Sequence, residues 1–423
     1  MKEQYLHFLW QYKRLPFNKL VLTDGSDLSV VETGWYNTDS GPDFFSGKVV
    51  IDHVVWSGNI ELHVKSSDWY THNHHHDAAY DNVILHVVLE HDKEVVVNGR
   101  ILPTLALKPW IDWEHYKRYL TLSNTAVTIA CANFHPVPKR IVDQQAEQAL
   151  FQRLNRKVDE LLLFLGDATE DRNTALFYLL ATSLGGRANK LPFQELVSRI
   201  PVNVLLKERW DITRIEAILF GVAGMLHDAE DHSYVQLLKK EWSHLKYKHG
   251  LTEMQHNTWK YSGVRPPSFP SIKIAQLAML IAVWNWQEDY QRELPTLLSD
   301  LRKLLSLPIN DFWETHYSFK RKTIKHSLKM SKRAQDIVLI NAISIYLVYL
   351  GRISGKMHHI DCAVELLQSI SAEKNYITSM FDSLSIQPKN AAESQGLIEL
   401  KNEFCNVKRC LDCKIGEHVL NRG

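Results

Sequence analysis

Residues 42–65 read PDFFSGKVVIDHVVWSGNIELHVK, and this stretch decides how the first part of the chain folds. Two runs rich in β-branched and aromatic residues, 44–51 and 54–65, flank Asp52-His53, a two-residue unit suited to a tight hairpin turn. Pairing Ile51 with Val54 across that turn sets Leu62 opposite Asp43. Alternate strand residues share a face, so Glu61, His63 and Lys65 project together beside Asp43. Two carboxylates held this close raise each other's pKa unless a cation lies between them. Mg²⁺ or Mn²⁺ resolves the conflict, because both favour oxygen ligands. A nearby lysine then orients a water or stabilises charge developing on a phosphate. The expected roles are metal ligation by Asp43 and Glu61, water positioning or charge stabilisation by Lys65, and an extra ligand or base at His63. The competing reading is a solvated hairpin face on which Glu and Lys form cross-strand ion pairs.

Working outward, residues 2–13 predict a helix stopped by Pro16, with Leu6, Leu9, Trp10 and Lys13 at helical spacing. Strands are expected at 19–23, 28–36 and 83–89, with short ones within 95–107 around the turn Asn98-Gly99. From about residue 110 helical periodicity takes over, after a linker at 121–139 that contains Pro136 and Pro138. Helices are expected over 140–165, 171–184, 211–227, 230–248, 271–288, 293–306, 332–352, 359–371 and 375–383. The fold class is α+β. A mixed-sheet domain over 1–120 precedes the linker, and a mostly helical domain over 140–423 carries a C-terminal cysteine cluster.

The 423 residues are 45% hydrophobic and 23% charged, a globular balance. The formal net charge of +1 removes any global electrostatic case for nucleic acid or membrane, so such a case must be local. The start, MKEQYLHFLWQYKRLPF, has no apolar core or small-residue cleavage site of a signal peptide. The most apolar stretch, Ile337 to Gly351, contains Asn341 and reads as a buried helix rather than a span. A reducing cytoplasm is the expected compartment, since five cysteines make no disulfide framework.

Pro42-Asp43 at one strand start, with Glu61 and Lys65 on the adjacent strand, resembles the PD-(D/E)XK nuclease core. The order helix, strands, hairpin, short helix, strand is also similar, over about residues 1–107. The resemblance implies a restriction-endonuclease-like mixed sheet and a metal-dependent phosphodiesterase acting on nucleic acid. Asp43 and Glu61 would hold Mg²⁺ or Mn²⁺. The family has acid-x-Lys where this chain has Glu61-Leu62-His63-Val64-Lys65, so His63 replaces either the lysine or the acid. Two other readings compete. One is a non-catalytic nucleic-acid-binding or scaffold protein that keeps a decayed nuclease fold. The other is a histidine-rich metallohydrolase using His72, His74 and Asp77. The nuclease needs Asp43, Glu61 and Lys65 to converge, the hydrolase needs converging imidazoles, and the scaffold needs neither. The whole chain also resembles an uncharacterised bacterial domain-of-unknown-function family in the runs GPDF, GNIELHVKSSDW, YDNVILHVV and CLDCKIG, which implies no activity.

Eight of the 21 histidines lie between His53 and His91, including the run His72-Asn73-His74-His75-His76. His74 and Asp77 follow the Lys65 strand by one turn region and can reach back to it as metal ligands; otherwise the run is a solvent-exposed loop. His86, inside the strand and on the face of Ile84 and Val88, reads as hydrogen-bonded rather than ligating. Residues 320–333 hold seven Lys or Arg and no acid. Lys320, Arg321, Lys322 and Lys325 are therefore candidate phosphate contacts, against a solvated helix start. Cys405-x4-Cys410-x2-Cys413 has metal-ligand spacing for zinc or an iron–sulfur cluster, with Cys131 or His418 as the fourth ligand. One upstream and three C-terminal cysteines are similar to the arrangement around such a cluster in some PD-(D/E)XK nucleases. The alternatives are free thiols at a frayed end, or a redox CxxC that lacks its βαβ context.

Overall fold

Asp52 and His53 take positive φ values of 44° and 68°, the left-handed pair that a type I′ hairpin turn requires. The computed structural model that shows this describes every residue except 38, 125–128, 135, 228–231, 256–257, 286–293 and 422–423. Helix α1 (Glu3–Gln11) precedes β1 (Leu20–Val21), β2 (Asp27–Glu32), β3 (Trp35–Tyr36), β4 (Phe44–Ile51) and β5 (Val54–Lys65). A one-turn helix, α2 (Asp68–Thr71), leads to β6 (Val83–Glu90), the ribbon β7 (Val96–Val97) and β8 (Arg100–Ile101), β9 (Thr104–Ala106) and helix α3 (Trp113–Asn124). The sheet runs β1-β2-β4-β5-β6-β9, with β3 also on β4. Strands β1, β2, β4 and β5 pair antiparallel, while β5, β6 and β9 run parallel, so the sheet is mixed as expected.

The turn sets the register. Ile51 pairs with Val54 and Lys48 with Ser57, and a bulge between Phe44 and Gly47 then moves Phe44 opposite Ile60. Asp43, one residue before β4, therefore lies beside Glu61 and Leu62. Strand β5 is central, and it is buried from Ile60 through His63. Ile60 and Leu62 face one side, Glu61 and His63 the other. Gly58 permits the close approach of β6: a Cβ there would lie 2.5 Å from Ile84 Cγ2 and 2.6 Å from the Asn82 carbonyl oxygen. Gly58→Ala is expected to cost about 1–3 kcal/mol, the range for overpacking a filled interior. Urea unfolding followed by tryptophan fluorescence measures it.

The chain divides into two compact units, Met1–Val142 with Glu403–Gly423, and Asp143–Asn402. The cysteine-bearing tail, which sequence order groups with the helices, thus belongs to the first unit. Its last helix buries Ile415, Val419 and Leu420 and packs against α3.

Helices α4 (Lys139–Leu165), α5 (Arg172–Arg199), α6 (Val202–Glu208), α7 (Ile212–Val222), α8 (Ser233–His249), α9 (Pro270–Val283) and α10 (Leu294–Leu305) build most of the second unit. A small ribbon, β10 (His316–Ser318) with β11 (Arg321–Lys322), precedes α11 (Lys332–Val338). A π-helical turn over Leu339–Ile343 joins α11 to α12 (Ser344–Ser354). Then come α13 (Met357–Ser369), α14 (Tyr376–Asp382) and α15 (Ala391–Glu399); α16 (Lys414–Leu420) is the tail helix of the first unit. Helix α5 outruns its expected end at 184 because it kinks at Gly186 (φ 54°) and Asn189, then resumes. Among the described residues, Lys332–Ser354 is the one helix long and apolar enough to cross a membrane, and most of it is buried inside this unit. Its polar residue has a partner there, since Asn341 Oδ1 accepts a 2.8 Å hydrogen bond from the buried Arg153. Parts of the expected linker and of the helices over 230–248, 271–288 and 293–306 lie outside the described residues.

Candidate metal centre

The hairpin carries a reciprocal clasp. The Asp43 backbone N–H donates to Glu61 Oε2 at 3.0 Å, and the Leu62 N–H donates to Asp43 Oδ2 at 2.9 Å. The two carboxylates predicted to be neighbours are neighbours. Imidazoles gather around them. After β5, helix α2 and Asn73 (φ 62°) turn the chain back so that His72 and His74 face the strand; Asn tolerates this left-handed conformation better than most residues. The His74 ring stacks on Tyr80 at 3.8 Å between centroids. Its Nε2 reaches to 3.4 Å from Glu61 Oε1, and His63 Nε2 lies 3.5 Å from the same oxygen. His63 Nε2 is also 3.1 Å from His72 Nδ1. One nitrogen each from His63, His72 and His74 falls within 4.8 Å of the other two.

Behind this trio, His63 Nδ1 and His86 Nε2 are 2.9 Å apart, with both side chains buried. A proton on His63 Nδ1 satisfies that contact and leaves Nε2 free as a lone-pair donor. On the other side, His7 of α1 puts Nε2 3.2 Å from Asp43 Oδ2 and 4.0 Å from Glu3 Oε1.

Burial, and then the neighbouring rings of His74 and His72, push the His63 pKa down to about 3. His86 is driven well below the ordinary imidazole value, again first by burial. Burial also opposes a charge on His7, but the Asp43 carboxylate outweighs it and the pKa is raised. Glu61 is raised, chiefly by burial, with Asp43 adding to the rise and His74 opposing it. The centre thus combines two imidazoles that burial keeps from charging, His63 and His86, with a Glu61 carboxyl that burial makes harder to ionise. His74 Nε2 is buried and, among the described residues, has no hydrogen-bond partner.

Three imidazole nitrogens brought this close would suit zinc and its first-row neighbours rather than Mg²⁺. The 3.1 Å separation of His63 Nε2 and His72 Nδ1 is close to the ~3.3 Å edge of a tetrahedron with metal–nitrogen bonds of ~2.05 Å. His86 then supplies the outer-shell partner that fixes the tautomer of a ligating histidine. His86→Phe should therefore lower metal affinity about 10- to 100-fold while leaving the sheet folded. Competition against a chelating dye, with circular dichroism as the fold control, reads both.

Other expected residues stand apart. Lys65 shares the face of Glu61 but is exposed at the strand end, opposite Glu90, whose carboxylate feels its charge. Asp77 is exposed and caps a short turn, accepting from the Ala79 N–H at 2.9 Å. Lys325 pairs with Glu314 at 3.1 Å. Lys320 lines a pocket of about 300 Å³ with Trp259 and Tyr261, while Arg321 and Lys322 form the exposed β11. Most of the basic run is thus a ribbon and loop, and only Lys332 and Arg333 begin α11. His7 was not anticipated, because its register toward Asp43 depends on how α1 lies on the sheet. His86 was expected to be hydrogen-bonded, and it is.

The fold and centre define a mixed-sheet α/β unit with a clustered imidazole–carboxylate site, joined to a helical unit. The chain belongs to the DUF2851 family, described as a protein of unknown function, whose model matches residues 3–376. No curated protein and no solved structure matches it.

Proposed function

We propose that the first unit is a metal-dependent hydrolase, with the metal held by His63, His72 and His74, and Glu61 as the general base. The convergence of these three imidazoles beside Glu61 carries the reading. A divalent metal in such a set lowers the pKa of water and stabilises charge on a substrate oxygen. Glu61 Oε1 is placed to take the proton from the attacking water, and the clasp from Asp43 fixes its other oxygen. The His7–Asp43 pair is placed to hand a proton to the leaving group. Phosphodiesters of nucleic acid are the substrate class, supported by the likeness of the α1–hairpin–α2–β6 order around Asp43 and Glu61 to PD-(D/E)XK nucleases.

The test uses tag-free, metal-stripped protein, reloaded with Zn²⁺, Mn²⁺, Co²⁺ or Mg²⁺ and offered DNA, RNA and a chromogenic phosphodiester. Cleavage is expected with a transition metal and not with Mg²⁺ alone. No cleavage by fully loaded protein would sink the hydrolase and leave the scaffold reading, which the remote Lys65 favours. Changing Lys320, Arg321, Lys322 and Lys325 together to Gln should weaken nucleic-acid binding across sequences and flatten its salt dependence. An unchanged salt slope would make that run a solvated surface.

A further inference from the structure

Cysteines distant in sequence also meet within the first unit. Cys131, Cys405, Cys410 and Cys413 line one small cavity together with Phe404 and Ala130, and no disulfide joins them. The tail is built to hold them there. Gly416 lies against the Cys410 carbonyl so closely that a Cβ would sit 2.0 Å from the oxygen, so the loop carrying Cys410 is pressed onto α16. The Cys413 sulfur accepts N–H groups from Ile415 and Gly416, which is how a protein supports a thiolate. His418, the other candidate fourth ligand, is not among the residues lining the cavity.

Cys413 is buried and the other three thiols are half-buried, and a metal accounts for four cysteines converging on one cavity. Among the described residues only the three histidines place three donors within 4.8 Å of one another. In any three of the four sulfurs at least one pair therefore stands more than 4.8 Å apart, beyond the ~3.8 Å edge of a tetrahedral zinc thiolate with Zn–S bonds of ~2.3 Å. That spread suits a polynuclear centre, whose cysteines need not share one ion.

We propose that Cys131, Cys405, Cys410 and Cys413 ligate an iron–sulfur cluster that fastens residues 403–423 to the first unit. The site is separate from the histidine centre and stands or falls independently of the hydrolase reading. The full chain, without a tag, is purified anaerobically and reconstituted with Fe²⁺ and sulfide. Iron and acid-labile sulfide in equal amounts are expected, with a visible absorption shoulder and a tail resistant to protease. Cys131→Ser and the double change Cys410→Ser with Cys413→Ser should each lose the iron and expose the tail to cleavage, whereas Cys362→Ser and His63→Ala should keep it. Zinc in place of iron, or no bound metal in the reconstituted wild type, would overturn the cluster. Iron retained by both cysteine variants would overturn the ligand set.

Discussion

His63→Ala is expected to weaken first-row metal binding by more than ~100-fold, beyond the loss that an outer-shell partner produces. Glu61→Gln should retain the metal and lose about 10²- to 10⁴-fold in hydrolytic rate, the range a positioned general base contributes. The split follows from geometry. His63 is the hub of the trio, since its Nε2 faces both His72 and Glu61 while Nδ1 is held by His86. Glu61 lies 3.4 Å from His74 Nε2 and 3.5 Å from His63 Nε2 but is not within the mutual 4.8 Å group, so it borders the ligand set. Both positions are buried, so chemical denaturation of each variant is measured alongside titration calorimetry and initial rates. Metal retained by folded His63→Ala would contradict the assignment, as would full activity in Glu61→Gln.

The second large effect lies in the helical unit. Glu216 of α7 is 1% exposed, and burial raises its pKa to about 8, with the Tyr234 hydroxyl opposing the rise. A carboxyl with a raised folded pKa keeps its proton in the native chain. Below its unfolded value near 4.5 both states are protonated and the group leaves stability unchanged with pH. Between about 4.5 and 8 only the unfolded chain ionises, so stability falls as pH rises through that window. At about 1.4 kcal/mol per pKa unit the loss is ~5 kcal/mol. Glu216→Gln removes the ionisation. Relative to the wild type its stability should gain by that order between pH 4.5 and 8. Urea midpoints measured at several pH values check the slope, and parallel curves for the two proteins would refute it.

The hairpin was legible because its turn residues and alternating pattern fix a register that can be counted along the chain. Asp52-His53 sets Ile51 against Val54, and Asp43 then has to arrive at Glu61 within one bulge. Lys65 misled because a shared strand face is not proximity: four residues of strand separate it from Glu61 by ~13 Å. His72 and His74 were visible as ligand-type residues, but the left-handed Asn73 that aims them has no distinctive sequence pattern. His7 reaches Asp43 only through the packing of α1, which periodicity does not orient. Asp77, flagged by its company of histidines, serves a local turn, as Asp often does ahead of a short helix. In the helical unit, the continuation of α5 beyond Gly186 was hidden because Gly and Pro read as breakers, whereas the structure kinks and resumes.

The central claim is that three histidines of the first unit hold a transition metal. X-ray absorption at the metal edge, on tag-free protein with Cys410→Ser and Cys413→Ser and carrying one equivalent of Co²⁺, tests it most directly. The account predicts a nitrogen- and oxygen-bound ion whose outer-shell scattering comes from three imidazoles, and the loss of that signature in His63→Ala. A sulfur-dominated shell, or an imidazole signature unchanged in His63→Ala, would contradict it.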